Sequence, residues 1–185
     1  IWYIGSVSGV MSIGFGLINS LFVLYATQKL GLSQSHAYNL YASYNAMLFA
    51  LPIIGGYTAS KLGFKKALSF GAALLIIGLL ILTQQKIELF YVGLSFYASG
   101  IAFFVPSYLV LQSKLYSRND DRRESGFTLS YVIMNMGVLI ASVLGGYLSK
   151  HFSFQACFHT GAATTFLLLF YIMLGLPHIK AEASR

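Results

Sequence analysis

The side chains that could do chemistry here are amides, phenols and one imidazole, set in long runs that carry no charge. Asn135 and Tyr131 fall four residues apart, as do Asn45 and Tyr41, with Tyr44 beside them. A helix repeats every 3.6 residues, so each group shares one helical face. Tyr108 and Gln112 follow the same spacing in a third run, on a face with Tyr97 and Phe104. Amides and phenols hydrogen-bond a solute without carrying charge. At membrane depth they serve either as cavity lining or as bonds between helices. Both roles stay open for Asn135, Tyr131 and Asn45. For Asn19, Ser142 and Thr164 the interhelical role is expected. His159 is the histidine inside an apolar run, and either a proton relay or a neutral hydrogen-bonded residue fits it. There is no Gly-x-Gly-x-x-Gly followed by an acid, no Cys/His metal spacing and no nucleophile elbow, so neither an enzyme nor a bound cofactor or metal is expected.

The runs that position these groups define the class. The chain has 185 residues, 57% hydrophobic and 9% charged. Soluble domains carry about a quarter charged residues. Six apolar runs, at about 2–27, 37–60, 67–84, 88–113, 125–149 and 155–176, contain no Asp, Glu, Lys or Arg in their interiors. Each is long enough to cross a hydrocarbon core of about 30 Å at 1.5 Å per residue. The expected fold is an all-α bundle of six transmembrane helices with the lipid bilayer as its solvent. Cys157 stands alone, so there is no disulfide framework.

Charge placement orients the bundle. Lys61, Lys65, Lys66, Lys114, Arg118, Arg122, Arg123, Lys180 and Arg185 fall on one side, against Lys29, Lys86 and Lys150 on the other. Nine against three predicts both ends in the cytoplasm, in the cell (inner or plasma) membrane. The net charge of +7 thus reads as topology, and no nucleic-acid partner is expected.

Two further patterns concern organisation. Gly55-Gly56-Tyr57 recurs as Gly145-Gly146-Tyr147, 90 residues later and three spans on. That is the trace a 3+3 inverted repeat leaves, with repeats at about 1–84 and 88–176. In the first run Gly5, Gly9, Ser12 and Gly16 form a small-residue stripe that lets a neighbouring backbone approach closely, continued by Asn19. Pro52 and Pro106 interrupt the second and fourth runs, where they either kink the helix or serve packing. The chain opens on Ile1 with no basic leader and reads as a piece of something longer, with 177–185 a cytoplasmic tail leading to a missing or separate second half.

Several stretches resemble the proton-dependent oligopeptide transporters. Leu21 to Tyr25 with Lys29-Leu30-Gly31-Leu32-Ser33 is similar to the end of their helix 1. Leu40-Tyr41 to Tyr44, then Pro52-Ile53-Ile54-Gly55-Gly56, is similar to helix 2, and Phe103-Phe104-Val105-Pro106 to helix 4. The most specific stretch is Asp121-Arg122-Arg123-Glu124-Ser125-Gly126-Phe127-Thr128 with Tyr131-Val132-Ile133-Met134-Asn135-Met136-Gly137, which resembles the family's loop and helix 5 signature. The likeness covers nearly the whole chain and implies the N-terminal six helices of such a symporter. It implies that Asn135 lines the peptide site. It also implies a cytoplasmic gate motif at Gly56, Lys61, Gly63, Lys65 and Lys66, with Ser60 where the family has aspartate.

The departures are chemical. The family's Glu-x-x-Glu-Arg-Phe in helix 1 is Ser8-Gly9-Val10-Met11-Ser12-Ile13 here, and a helix 4 lysine is Val105. The resemblance therefore implies a transporter of a small peptide or other small solute, working by alternating access without the usual proton-coupling charges of this half. The partners expected are that solute and a second six-helix half or partner subunit. The competing expectation is a membrane scaffold that keeps the fold and transports nothing.

Overall fold

The computed structural model describes residues 2–114 and 122–175, and holds six helices. These are α1 Trp2–Gln28, α2 Gln34–Leu62, α3 Phe64–Leu82, α4 Ile87–Ser113, α5 Arg122–His151 and α6 Phe154–Gly175. Arg118, Asp121 and the 177–185 tail lie outside the described residues.

The helix bounds differ from those of the apolar runs by up to three residues, most of them longer and the ends of α3 and α6 shorter. The expectation that Lys65 and Lys66 sit in a loop is corrected: both belong to the first turn of α3, and Lys61 to the last turn of α2. One residue, Gly63, separates the two helices. Its φ of 91° is open to glycine, and its N–H caps α2 by donating to the Ala59 carbonyl. At the other end of α2, Ser33 Oγ accepts from the His36 N–H at 3.3 Å, one of the donors a helix start leaves unpaired.

Among the described residues, five helices are long and apolar enough to cross a membrane: α1, α3, α4, α5 and α6. By that measure α2 differs from the expected six spans. It has the length, 29 residues, but its first half holds Ser35, His36, Asn39, Ser43 and Asn45.

Close contacts fix the running directions. Along α1 and α5, Ser8 meets Ser130, Gly9 meets Gly137, and Leu17 meets Gly145, so the two are parallel. Along α2 and α4, His36 meets Tyr91 and Gly55 meets Ala102, again parallel. Gly71 lies against Gly100 and Gly78 against Gly93, which makes α3 and α4 antiparallel. Ser6 meets Tyr171 and Gly14 meets Gly161, so α1 and α6 are antiparallel. Gln155, at the start of α6, reaches Thr83, just past the end of α3.

These contacts are made of glycine because lipid supplies no hydrophobic drive between helices, and association rests on close packing. A Cβ on Gly137 would stand 2.6 Å from the Gly9 carbonyl oxygen, and one on Gly71 2.8 Å from that of Gly100. The stripe Gly5, Gly9, Ser12 and Gly16 packs on α5, against Ile133, Gly137, Val138 and Ala141. Leu17, Leu75, Leu79, Tyr97, Phe104, Leu168 and Ile172 fill the centre.

Candidate functional site

Two groups of sequence-selected side chains flank α1. On α2, Tyr41 is half-buried and its hydroxyl donates to Asn19 Oδ1 at 3.3 Å. Asn19 in turn donates to the Phe15 carbonyl at 3.0 Å, so it does serve as a bond between α1 and α2. Asn45 is half-buried and returns its amide to the Tyr41 carbonyl at 2.8 Å. Tyr44 is 3% exposed and stacks on Phe22, with ring centroids 5.4 Å apart and planes 28° from parallel. Its hydroxyl has no hydrogen-bond partner among the described residues. Such a buried orphan is uncommon and costs about 1–3 kcal/mol.

On α5, Tyr131 is 64% exposed and Asn135 is exposed beside it. The Asn135 amide donates to the Tyr131 carbonyl at 2.8 Å, a bond within its own helix. The rest of that amide is presented outward. The same open side of α5 carries Met136, Leu139, Val143 and Tyr147, and α2 has its own in Phe49, Ile53, Ile54 and Tyr57.

The third pair sits elsewhere. Gln112 is 2% exposed and donates to the Gly126 carbonyl at 3.4 Å, tying the end of α4 to the start of α5. Tyr108 is half-buried and packs against the core. Ser142 and Thr164 return their hydroxyls to carbonyls of their own helices, Val138 at 2.9 Å and Gly161 at 2.9 Å. His159 stands exposed on α6.

The gate-motif residues cluster at the α2–α3 junction. Gly56 lies against the Pro106 ring, where a Cβ would meet carbon at 3.3 Å. Ser60 donates to the Tyr57 carbonyl at 2.7 Å, and Lys61 Nζ lies 4.4 Å from the centre of the Tyr57 ring. Lys65 and Lys66 follow Gly63 on α3, and Lys114 Nζ lies 5.2 Å from the centre of the Phe64 ring.

A further group escaped the reading of the sequence. Phe22, Tyr25, Phe90, Phe154 and Phe158 join Tyr41 and Tyr44 in one aromatic cluster from α1, α2, α4 and α6, with neighbouring centroids 5.0–5.5 Å apart. Tyr25 donates to the Leu82 carbonyl at 3.0 Å, and Gln155 donates to the Thr83 carbonyl at 3.0 Å. A helix end leaves its last carbonyls unpaired, and Leu82 and Thr83 are buried in the protein away from water, so neighbouring side chains satisfy them. Tyrosine and glutamine carry no sign of that use in sequence.

Apolar helices of spanning length, joined by glycine contacts and bearing polar groups on open faces, define a multi-pass membrane protein. The chain belongs to the Major Facilitator Superfamily, whose family model matches residues 4–185. It is similar to dipeptide and tripeptide permease A of Chromobacterium violaceum, 30% identical over 78% of this chain and 30% of the relative. The permease of the same name from Edwardsiella piscicida is 25% identical over 93% of this chain and 36% of the relative. The chain therefore spans about a third of the length of the curated relatives it matches. Among solved structures, a peptide transporter POT in complex with sulfate superposes with a TM-score of 0.88 at 23% identity, over 93% of this chain and 36% of that one. A POT family transporter in complex with 5-aminolevulinic acid gives 0.89 at 22%, over 94% and 37%. Fold and relatives agree with the resemblance to oligopeptide transporters, and these relatives are transporters rather than enzymes.

Proposed function

We propose that this chain is the N-terminal six-helix half of a peptide-transporter-like major facilitator that moves a small peptide or similar small solute by alternating access. The observation that carries the reading is the open α5 face. Asn135 and Tyr131 present an amide and a phenol outward from a helix whose other side is locked to α1. Relatives of the same fold are named dipeptide and tripeptide permeases.

In this reading α2 crosses the membrane as well, because it runs parallel to α4 from His36–Tyr91 to Gly56–Pro106. Its open apolar face, with that of α5, seats the second half. Those faces are apolar at Phe49, Ile53, Leu139 and Val143, and a second bundle would cover them.

The 3+3 inverted repeat is supported by matching contacts. A shift of 90 residues takes Gly55 to Gly145 and Gly71 to Gly161. Gly55 packs on Ala102 of α4, and Gly145 packs on Leu17 of α1. Gly71 packs on Gly100 of α4, and Gly161 packs on Gly14 of α1. Exchanging α1 with α4, α2 with α5 and α3 with α6 thus carries each contact onto its counterpart.

The solute site is built from Asn135, Tyr131, Asn45 and Tyr41, with both ends of the segment in the cytoplasm of a cell in whose inner membrane it sits. Ser8 and Ser12 occupy the region where the family carries its helix 1 charges, and both spend their hydroxyls on carbonyls. Proton coupling in this reading belongs to the other half. The test is uptake of a labelled dipeptide by proteoliposomes that hold this chain with its second half. Uptake that falls with Asn135→Ala supports the assignment. Correctly inserted protein that moves no peptide and no other small solute would point instead to a scaffold.

A further inference from the structure

A crevice of about 480 Å³ opens between α1 and α6, lined by Ser6, Val10, Ile13, Thr164, Leu168 and Tyr171, with Leu167 at its rim. Its polarity is graded. Ser6 Oγ donates to the Tyr171 hydroxyl at 3.3 Å, about a turn from the start of α1 and the end of α6. Deeper in, the walls are the hydrocarbon of Val10, Ile13 and Leu168. The Thr164 hydroxyl is spent on the Thr160 and Gly161 carbonyls, so that wall offers its methyl group. Further along, α1 and α6 come together at Gly14 and Gly161.

Three possible occupants separate on size and charge. One turn of helix, with side chains, fills roughly 500 Å³ by its pitch and diameter, so the crevice cannot enclose a helix, and a neighbouring one would reach into it only by its side chains. A peptide carries two opposite charges, and no lining residue is charged to meet them. A hydrocarbon chain fits both the shape and the lining. The crevice is also continuous with lipid: Leu167 and Tyr171 belong at once to its wall and to the exposed face of α6 with Phe166, Phe170 and Leu174. That face is apolar over a helix of spanning length, so acyl chains are its solvent.

We propose that this crevice is a lipid site, holding one acyl chain of a bilayer phospholipid against α1 and α6. The chain lies along Val10, Ile13 and Leu168, with its ester end toward Ser6 and Tyr171. The site is separate from the solute face of α5 and does not rest on what the protein transports.

The test uses phosphatidylcholine vesicles in which one acyl chain carries a terminal diazirine, with the protein reconstituted and illuminated. Label is expected on the α1 segment around Val10 and Ile13 as well as on Phe166 and Phe170. Val10→Phe, which fills the crevice, should cut the α1 label at least fivefold and leave the Phe166 and Phe170 label unchanged. Val10→Leu, the milder change, should give an intermediate loss and covers the case in which the larger variant fails to fold. Label confined to Phe166 and Phe170, or α1 label that neither variant reduces, overturns the proposal and means that protein covers the crevice.

Discussion

Gly55 of α2 lies so close to the Ala102 carbonyl of α4 that a Cβ would overlap it. Gly146 of α5, by contrast, has nothing within 4 Å of the place its own Cβ would take. Gly55→Ala must therefore push two backbones apart, and overpacking of that kind costs about 1–3 kcal/mol or more. Gly146→Ala should be neutral or slightly stabilising, since alanine is favoured over glycine in a helix by about 1 kcal/mol. Thermal unfolding in detergent compares them, and equal melting temperatures for the two variants would contradict the packing described.

The unpartnered Tyr44 hydroxyl gives an unusual expectation for a buried tyrosine. Removing it loses no hydrogen bond and relieves a desolvated polar group, so Tyr44→Phe should hold or raise the melting temperature, by up to about 1–3 kcal/mol of stability. A clear drop would reveal a bound water or a partner for that oxygen.

Tyr25 and Gln155 cap the end of α3 from two different helices. Tyr25→Phe and Gln155→Leu should each cost about 0.5–1.5 kcal/mol, the worth of one net hydrogen bond. Their accepting carbonyls are adjacent, at Leu82 and Thr83. A double-mutant cycle is expected to show coupling, because losing both leaves the adjacent Leu82 and Thr83 carbonyls unpaired together.

Asn135→Ala separates function from folding. Its amide bonds only a carbonyl of its own helix among the described residues, so the melting temperature should shift by less than about 0.5 kcal/mol of stability. Uptake of a labelled dipeptide should fall about tenfold, the effect of losing roughly 1.4 kcal/mol of solute contact. Normal uptake would remove Asn135 from the solute site.

Much of this architecture was legible in the residues. Uncharged runs gave six helices to within three residues at either end, and the stripe from Gly5 to Gly16 announced a tight helix contact, though not that α5 makes it. Helical spacing put Gln112 on a face with Tyr108, but spacing cannot tell a cavity from a neighbour, and Gln112 bonds the Gly126 backbone. The α2 run shows the limit of apolarity as a signal: Ser43 and Asn45 bond carbonyls of their own helix and Tyr41 bonds Asn19, so these polar groups are satisfied within the protein. The aromatic cluster and the caps on α3 were invisible because they join residues up to 133 positions apart, such as Tyr25 and Phe158.

The parallel pairing of α1 with α5 and of α2 with α4 has an electrostatic consequence. Parallel neighbours put two helix N-termini side by side, each worth about half a positive elementary charge, so their dipoles repel and sum instead of cancelling. Both carboxylates among the described residues stand where that excess gathers: Glu88 in the first turn of α4 and Glu124 in the first turn of α5. Glu88 thus offsets the α2–α4 couple, whereas at the α1–α5 couple Glu124 shares its turn with Arg122 and Arg123, so the start of α5 carries charge of both signs.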